Sequence, residues 1–180
     1  MGLLRHFVPR NDSIIMYYIY SLFTAPGVMM HELAHALFCV LSGIKIHKIK
    51  LFQFGRTAGY VIHDEPNTFL PALFISLGPL MINSLVTLFL FSQVKAPFNA
   101  WQPWVWAWLG FAIGMHAIPS NGDAQALFGM ANHRFWRNPL VILGYPFVLL
   151  IYILNLFKRL HIDFVFVGIL FWLGRFYLKG

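Results

Sequence analysis

The sequence predicts an all-α polytopic membrane protein: about five transmembrane helices, with a short β-hairpin between the first and second. Three observations carry this. Of 180 residues, 59% are hydrophobic and 11% charged, against about 25% charged in a typical soluble domain. Too little polar surface remains to coat a particle in water. Mean hydropathy is +0.67, and apolar runs approaching the roughly 20 residues of a membrane helix recur along the chain. Residues 1–180 read as one membrane-embedded domain, with no internal repeat or low-complexity segment.

The first apolar run, about residues 14–42, is over-long. As a helix it would reach ~43 Å at 1.5 Å per residue, and Pro26-Gly27 is the natural kink or break within it. Residues 68–91 form the second run and residues 103–118 the third. Trp101, Trp104, Trp106 and Trp108 crowd the start of the third, where an aromatic belt would place them. Two accessory helices follow, about residues 139–157 and 162–178.

Between the first two runs lies a connection too long to be bare loop. "IKIHKIKLFQF" is rich in β-branched and aromatic residues, its apolar phase slips near His47-Lys48 as at a bulge, and Gly55 and Gly59 supply a turn. A β-hairpin over about residues 44–63 is expected.

A net charge of +7 raises the question of nucleic acid. The basic residues lie mainly between and beside the apolar runs, where Lys and Arg set topology and meet lipid headgroups, and no nucleic-acid module is present. Five spans put Arg5, Arg10, Lys95, Lys158 and Arg159 on one side. The larger set, Lys45, Lys48, Lys50, Arg56, Arg134, Arg137, Arg175 and Lys179, falls on the other. The hairpin side is therefore expected in the cytoplasm and the N-terminus outside. The N-terminus lacks the small-residue cleavage site of a secretory signal. Cys39 is the only cysteine, which excludes an intramolecular disulfide and a thiolate zinc cluster.

Chemistry concentrates in "HELAH". His31 and His35, at i and i+4, share one helical face and suit a common Zn²⁺, and Glu32 between them can approach water activated by that ion. Only six carboxylates exist in the chain. One of them inside an apolar helix costs at least several kcal/mol unless a charge offsets it. A catalytic zinc normally takes a third protein ligand. Cys39 would stack along the same helix and cannot surround the same ion, Asp64 and Glu65 fall in the hairpin region, and Asp163 starts the last span. Asp123 is the best candidate, just after a helix broken by Pro119 and Gly122. His35 and Asp123 both lie near the ends of odd-numbered spans, and so approach the same membrane face.

"HELAH", "GPLMIN" (Gly78 to Asn83) and "HAIPSNGD" (His116 to Asp123) together resemble the site-2 protease family of intramembrane zinc metalloproteases, over about Pro26 to Leu127. That family carries G-P-x-x-N in its second core helix, N-x-x-P followed by a zinc-binding aspartate in its third, and a membrane-associated β-hairpin between the first two. His116 stands where the family usually has Asn. Asp123 comes one residue earlier after the proline than usual, and Ala124 replaces the usual glycine. The resemblance implies cleavage of membrane-spanning protein or peptide substrates near the cytoplasmic face.

The expected function is accordingly a zinc endopeptidase in the bilayer, with His31, His35 and Asp123 as ligands and Glu32 as general base. His116 and the amide of Asn83 are candidate donors to the oxyanion. Gly78 and Pro79 are expected to loosen the second span and open a polar crevice. The competing readings are a non-catalytic zinc-binding scaffold and a metal transporter. Transport is disfavoured because the spans offer no further relay of ionisable groups beyond Asp163.

Overall fold

The computed structural model describes residues 11–55, 57–95, 99–134, 145–157 and 161–177. Their elements are helices α1 (Asn11–Phe23) and α2 (Ala25–Leu41), strands β1 (Ile46–Lys50) and β2 (Tyr60–His63), and helices α3 (Phe69–Ser92), α4 (Gln102–Gly114), α5 (Asn121–Arg134), α6 (Tyr145–Phe157) and α7 (Ile162–Trp172). A π-helical turn, Leu173–Tyr177, continues α7. The protein is thus mostly helical, with a two-stranded hairpin after its first helices.

The over-long first run is two helices bent by 58°. The break falls at Thr24, just ahead of the expected Pro26-Gly27. A proline ring collides with the carbonyl four residues upstream, here that of Leu22, so the helix must yield before Pro26 is reached. Thr24 Oγ1 donates to Tyr20 O (2.9 Å) and closes the end of α1. Gly27 serves a second purpose. A Cβ there would overlap the Ala112 carbonyl and lie 2.7 Å from His116 Nδ1, so its bare backbone lets α4 approach α2.

A Schellman motif ends α2. Gly43, at φ 68°, sends its N–H to Val40 O (3.0 Å), and the Ile44 N–H reaches Cys39 O (2.8 Å). This turn delivers the chain into β1. β1 and β2 pair antiparallel, Lys48 with Ile62 and Lys50 with Tyr60, and the register shifts between Ile46 and Lys48, at the bulge expected from the slipped apolar phase. His47 Nε2 lies 2.6 Å from Asp64 Oδ1 and clips the open end of the hairpin.

α3 is central, packing against α2, α4, α5 and α7. It runs unbroken through Pro79. Gly78 and Pro79 are buried rather than loosened, because a Cβ at Gly78 would meet the Phe38 ring; the pair is a close contact with α2, not a crevice.

Among the described residues, α3 alone is long and apolar enough to cross a membrane, and the bent pair α1–α2 passes the same test if counted as one span. α4 has 13 residues, ~20 Å, and stops at Gly114 where the expected run continued to 118. The chain there tightens into three-residue turns, with His116 N–H to Ile113 O (3.1 Å) and Ala117 N–H to Gly114 O (3.1 Å). The beginning of the fourth expected span (139–144) and the last residue of the fifth (178) lie outside the described residues, as do Arg5, Arg10, Arg56, Arg137, Lys158, Arg159 and Lys179 of the topology reading.

α5 was not expected from the sequence. Its buried Ala124, Leu127 and Ala131 pack with Ala72, Val148 and Ile151 into one core cluster. A second cluster joins Phe91, Val94, Met115, Val167 and Leu170.

Candidate metal centre

His31, Glu32 and His35 stand on the stretch of α2 that faces α3, α4 and the hairpin. Glu32 and His35 are buried. His35 Nδ1 lies 2.8 Å from the Ile75 carbonyl of α3, and His31 Nδ1 lies 2.7 Å from the His116 carbonyl after α4. A carbonyl only accepts, so each Nδ1 carries the proton and each Nε2 presents its lone pair. The two Nε2 atoms face each other at 3.1 Å.

Asp123 enters from α5. Its Oδ2 accepts the Ser120 N–H (2.6 Å), and its own N–H donates to Ser120 Oγ (3.2 Å). This is a capping box, which satisfies two free donors at the start of α5. It also aims the carboxylate: Oδ1 lies 3.3 Å from His35 Nε2, and Oδ2 3.7 Å from His31 Nε2. One ligand atom from each of His31, His35 and Asp123 lies within 4.8 Å of the other two.

The donor set fits a divalent cation. Two neutral imidazoles with opposed lone pairs repel each other, and a nearby carboxylate adds a third electron-rich atom. Nitrogens bound at ~2.0–2.1 Å to one tetrahedral zinc lie ~3.4 Å apart, close to the separation here. Each ligand also has the outer hydrogen bond that fixes metal-binding side chains, a carbonyl for each histidine and an amide for the aspartate.

Asn83 is fully buried on α3. Its Nδ2 donates to His116 O (3.1 Å) and Ile113 O (3.4 Å), so its amide is engaged with the end of α4. His116 Nδ1 faces the Ala112 carbonyl one turn back (3.1 Å), and the residue borders the cavity beside the histidine pair. Asp64 is exposed at the open end of the hairpin, outside the His31, His35, Asp123 group, and the His47 hydrogen bond holds its carboxyl below the usual range. Cys39 is buried in α2, and Asp163 lies in the first turn of α7; neither joins the His31, His35, Asp123 group.

The group opens into a cavity of ≈ 940 Å³ bounded by α2, α3, α5 and the second half of the hairpin. Thr57, Ala58, Gly59, Tyr60 and Val61 all border it. Thr57 to Gly59 lead into β2, and Tyr60 and Val61 are its first two residues, so the cavity is flanked by the start of that strand. Gln125, Ala126, Gly129 and Met130 of α5 border it opposite.

A helical protein whose H-E-x-x-H helix brings two histidines beside a carboxylate from a later helix has the donor set of a metal-binding protein. The chain matches the Peptidase M50B-like family over residues 7–122 and belongs to that site-2 protease-like family. Its members are membrane-associated metallopeptidases, typically with zinc. The match contains His31, Glu32, His35, Asn83 and His116 and stops one residue before Asp123. No curated protein and no solved structure matches the chain.

Proposed function

We propose that this protein is an intramembrane zinc endopeptidase that hydrolyses peptide bonds of membrane-spanning substrates near the cytoplasmic face. The observation that carries the reading is the opposed pair of imidazole lone pairs, closed by Asp123 and adjoined by Glu32 on the same turn of α2.

In this reading His31, His35 and Asp123 hold the ion. Zinc, when bound, supplies Lewis-acid activation of the attacking water. Glu32 takes the proton of that water and passes it to the departing amine. Of the two candidate oxyanion donors, Asn83 is buried with its amide engaged, while His116 borders the cavity and, with Nδ1 on the Ala112 carbonyl, would donate from Nε2 only as the imidazolium.

A helical substrate hides its scissile carbonyl in an intrahelical bond and must unwind first. The Thr57–Val61 segment along the cavity, where β2 begins, suits an extended substrate segment, which would add as a strand and recover backbone bonds lost on unwinding. A bilayer setting accounts for outward apolar side chains on α2 and α3, including Leu37, Leu85 and Phe89, which in water would form an aggregation-prone surface. In this reading α4, α6 and α7 supply the remaining spans, and the hairpin lies in the cytoplasmic half.

The test is Glu32→Gln. Purified variant protein should retain zinc and lose cleavage of a membrane-anchored reporter. A scaffold or transporter needs ligands but no general base, so cleavage at the wild-type rate sinks the peptidase reading.

A further inference from the structure

Pro79 sits inside α3, where a proline has no N–H for the carbonyl four residues before it. That carbonyl belongs to Ile75. It is the same atom that lies 2.8 Å from His35 Nδ1. We propose that Pro79 is a positioning residue for the metal centre: by withholding its N–H it frees the Ile75 carbonyl to fix the ring and tautomer of His35. This inference rests on the zinc reading above and concerns a residue that touches neither ion nor substrate.

Three observations support it. First, an internal proline is the most destabilising residue a helix can hold, yet α3 continues through Pro79 without a break. A merely tolerated proline would leave the Ile75 carbonyl without a donor in the core; here that carbonyl has a partner in His35. Second, His35 and the Ile75 carbonyl belong to different helices, so their meeting depends on close packing of α2 on α3. Gly78, next to Pro79, allows that packing by admitting the Phe38 ring. Third, His31 is served in the same way. In a continuing helix the His116 carbonyl would receive the Ser120 N–H, but that N–H goes to Asp123 Oδ2 (2.6 Å). The His116 carbonyl is open to side chains instead, accepting from His31 Nδ1 (2.7 Å) and Asn83 Nδ2 (3.1 Å). Both imidazoles are thus oriented by carbonyls that receive no N–H from four residues on, Ile75 within α3 and His116 just past the end of α4.

Restoring the N–H at position 79 should close the bond to Ile75 O, turn that carbonyl back along the helix and leave His35 a shared, weaker acceptor in place of one of its own. The experiment compares Pro79→Ala, and Pro79→Val to refill the buried volume, with wild type. Zinc affinity is measured by chelator competition on the purified full-length protein, alongside thermal stability. Pro71→Ala is the control: Pro71 lies in the first turn of α3, where an N–H has no intrahelical acceptor.

The expected result is zinc binding weakened about tenfold or more, the scale seen when an outer partner of a metal-bound histidine is lost, with thermal stability kept or raised. A proline serving only helix packing would not separate the two in that direction. Wild-type affinity in a folded Pro79→Ala or Pro79→Val protein overturns the proposal and leaves the zinc reading standing, as does an equal weakening in Pro71→Ala. Failure of the wild-type protein to bind zinc overturns both.

Discussion

Gly59 of the hairpin lies directly against Glu32 of α2. A Cβ on Gly59 would come 2.7 Å from Glu32 Cγ and 3.0 Å from Glu32 Oε1. Its backbone is not in the left-handed region, so the glycine answers a need for space rather than for an unusual turn. Gly59→Val should push the hairpin and the carboxylate apart. A misplacement of about 1 Å can cost 10²-fold in rate, so reporter cleavage should fall by about that factor while zinc content stays near wild type. Unaltered cleavage would mean that the hairpin does not locate Glu32.

Asp123→Ala should lower zinc well below one ion per chain, read by elemental analysis after gel filtration. The capping box is lost with it, at about 1 kcal/mol to α5, so a folded variant with full zinc would send the third-ligand assignment back to His116 or Asp64.

Acid should strip the ion. Free imidazoles take up protons near pH 6.5 and must be neutral to bind metal. Occupancy should be full at neutral pH and decline as pH drops and protons compete for His31 and His35. Occupancy that stays flat from pH 7 to about 4 contradicts imidazole ligation.

Asn83 ties two carbonyls at the end of α4, one of which holds His31. Thr87, one turn further along α3, makes a comparable bond from Oγ1 to Gly110 O (3.4 Å), away from the histidines. Asn83→Ala and Thr87→Val should each lose about 1 kcal/mol or more in thermal unfolding. Only Asn83→Ala should also weaken zinc binding, and equal affinities in the two variants would reduce Asn83 to helix packing.

The His47–Asp64 clip gives the hairpin a pH dependence. The Asp64 carboxyl is depressed mainly by its hydrogen bond with His47. Its stabilising contribution is therefore present above the ordinary carboxylate value, ~3.9, and is lost as pH falls through the lower folded value. Asp64→Asn should remove this acid sensitivity and speed amide exchange at Lys45 to His63 at neutral pH. Identical exchange in the variant would show that the clip does not hold the hairpin.

Local signals in the chain were enough for much of this architecture. "HELAH" is helical and apolar around its polar face, the slipped apolar phase at His47-Lys48 marks a bulge, and the aspartate after Pro119 falls where a third ligand can turn inward. α5 was missed because "NGDAQALFGMANHR" is too polar to stand out beside the long apolar runs. Its signal was nevertheless present: Ser120-x-x-Asp123 is a capping-box pattern, and Ala124, Leu127 and Ala131 fall on one helical face. The break at Thr24 rather than at Pro26-Gly27, and the burial of Gly78-Pro79, depend on which helix packs where. The relation of Pro79 to His35 needs the register of α3 against α2, which no single stretch of sequence encodes.

Drawing its ligands from α2 and α5 has a mechanical consequence. Helices α3 and α4 and the hairpin all lie in the loop of chain that an ion on the proposed ligands would close, so metal would act as a clasp on that part of the core. Chelation should then do more than silence the protein: it should leave the Ala117–Gly122 connection open to attack by added proteases and lower the melting temperature, in proportion to how tightly the clasp was fastened.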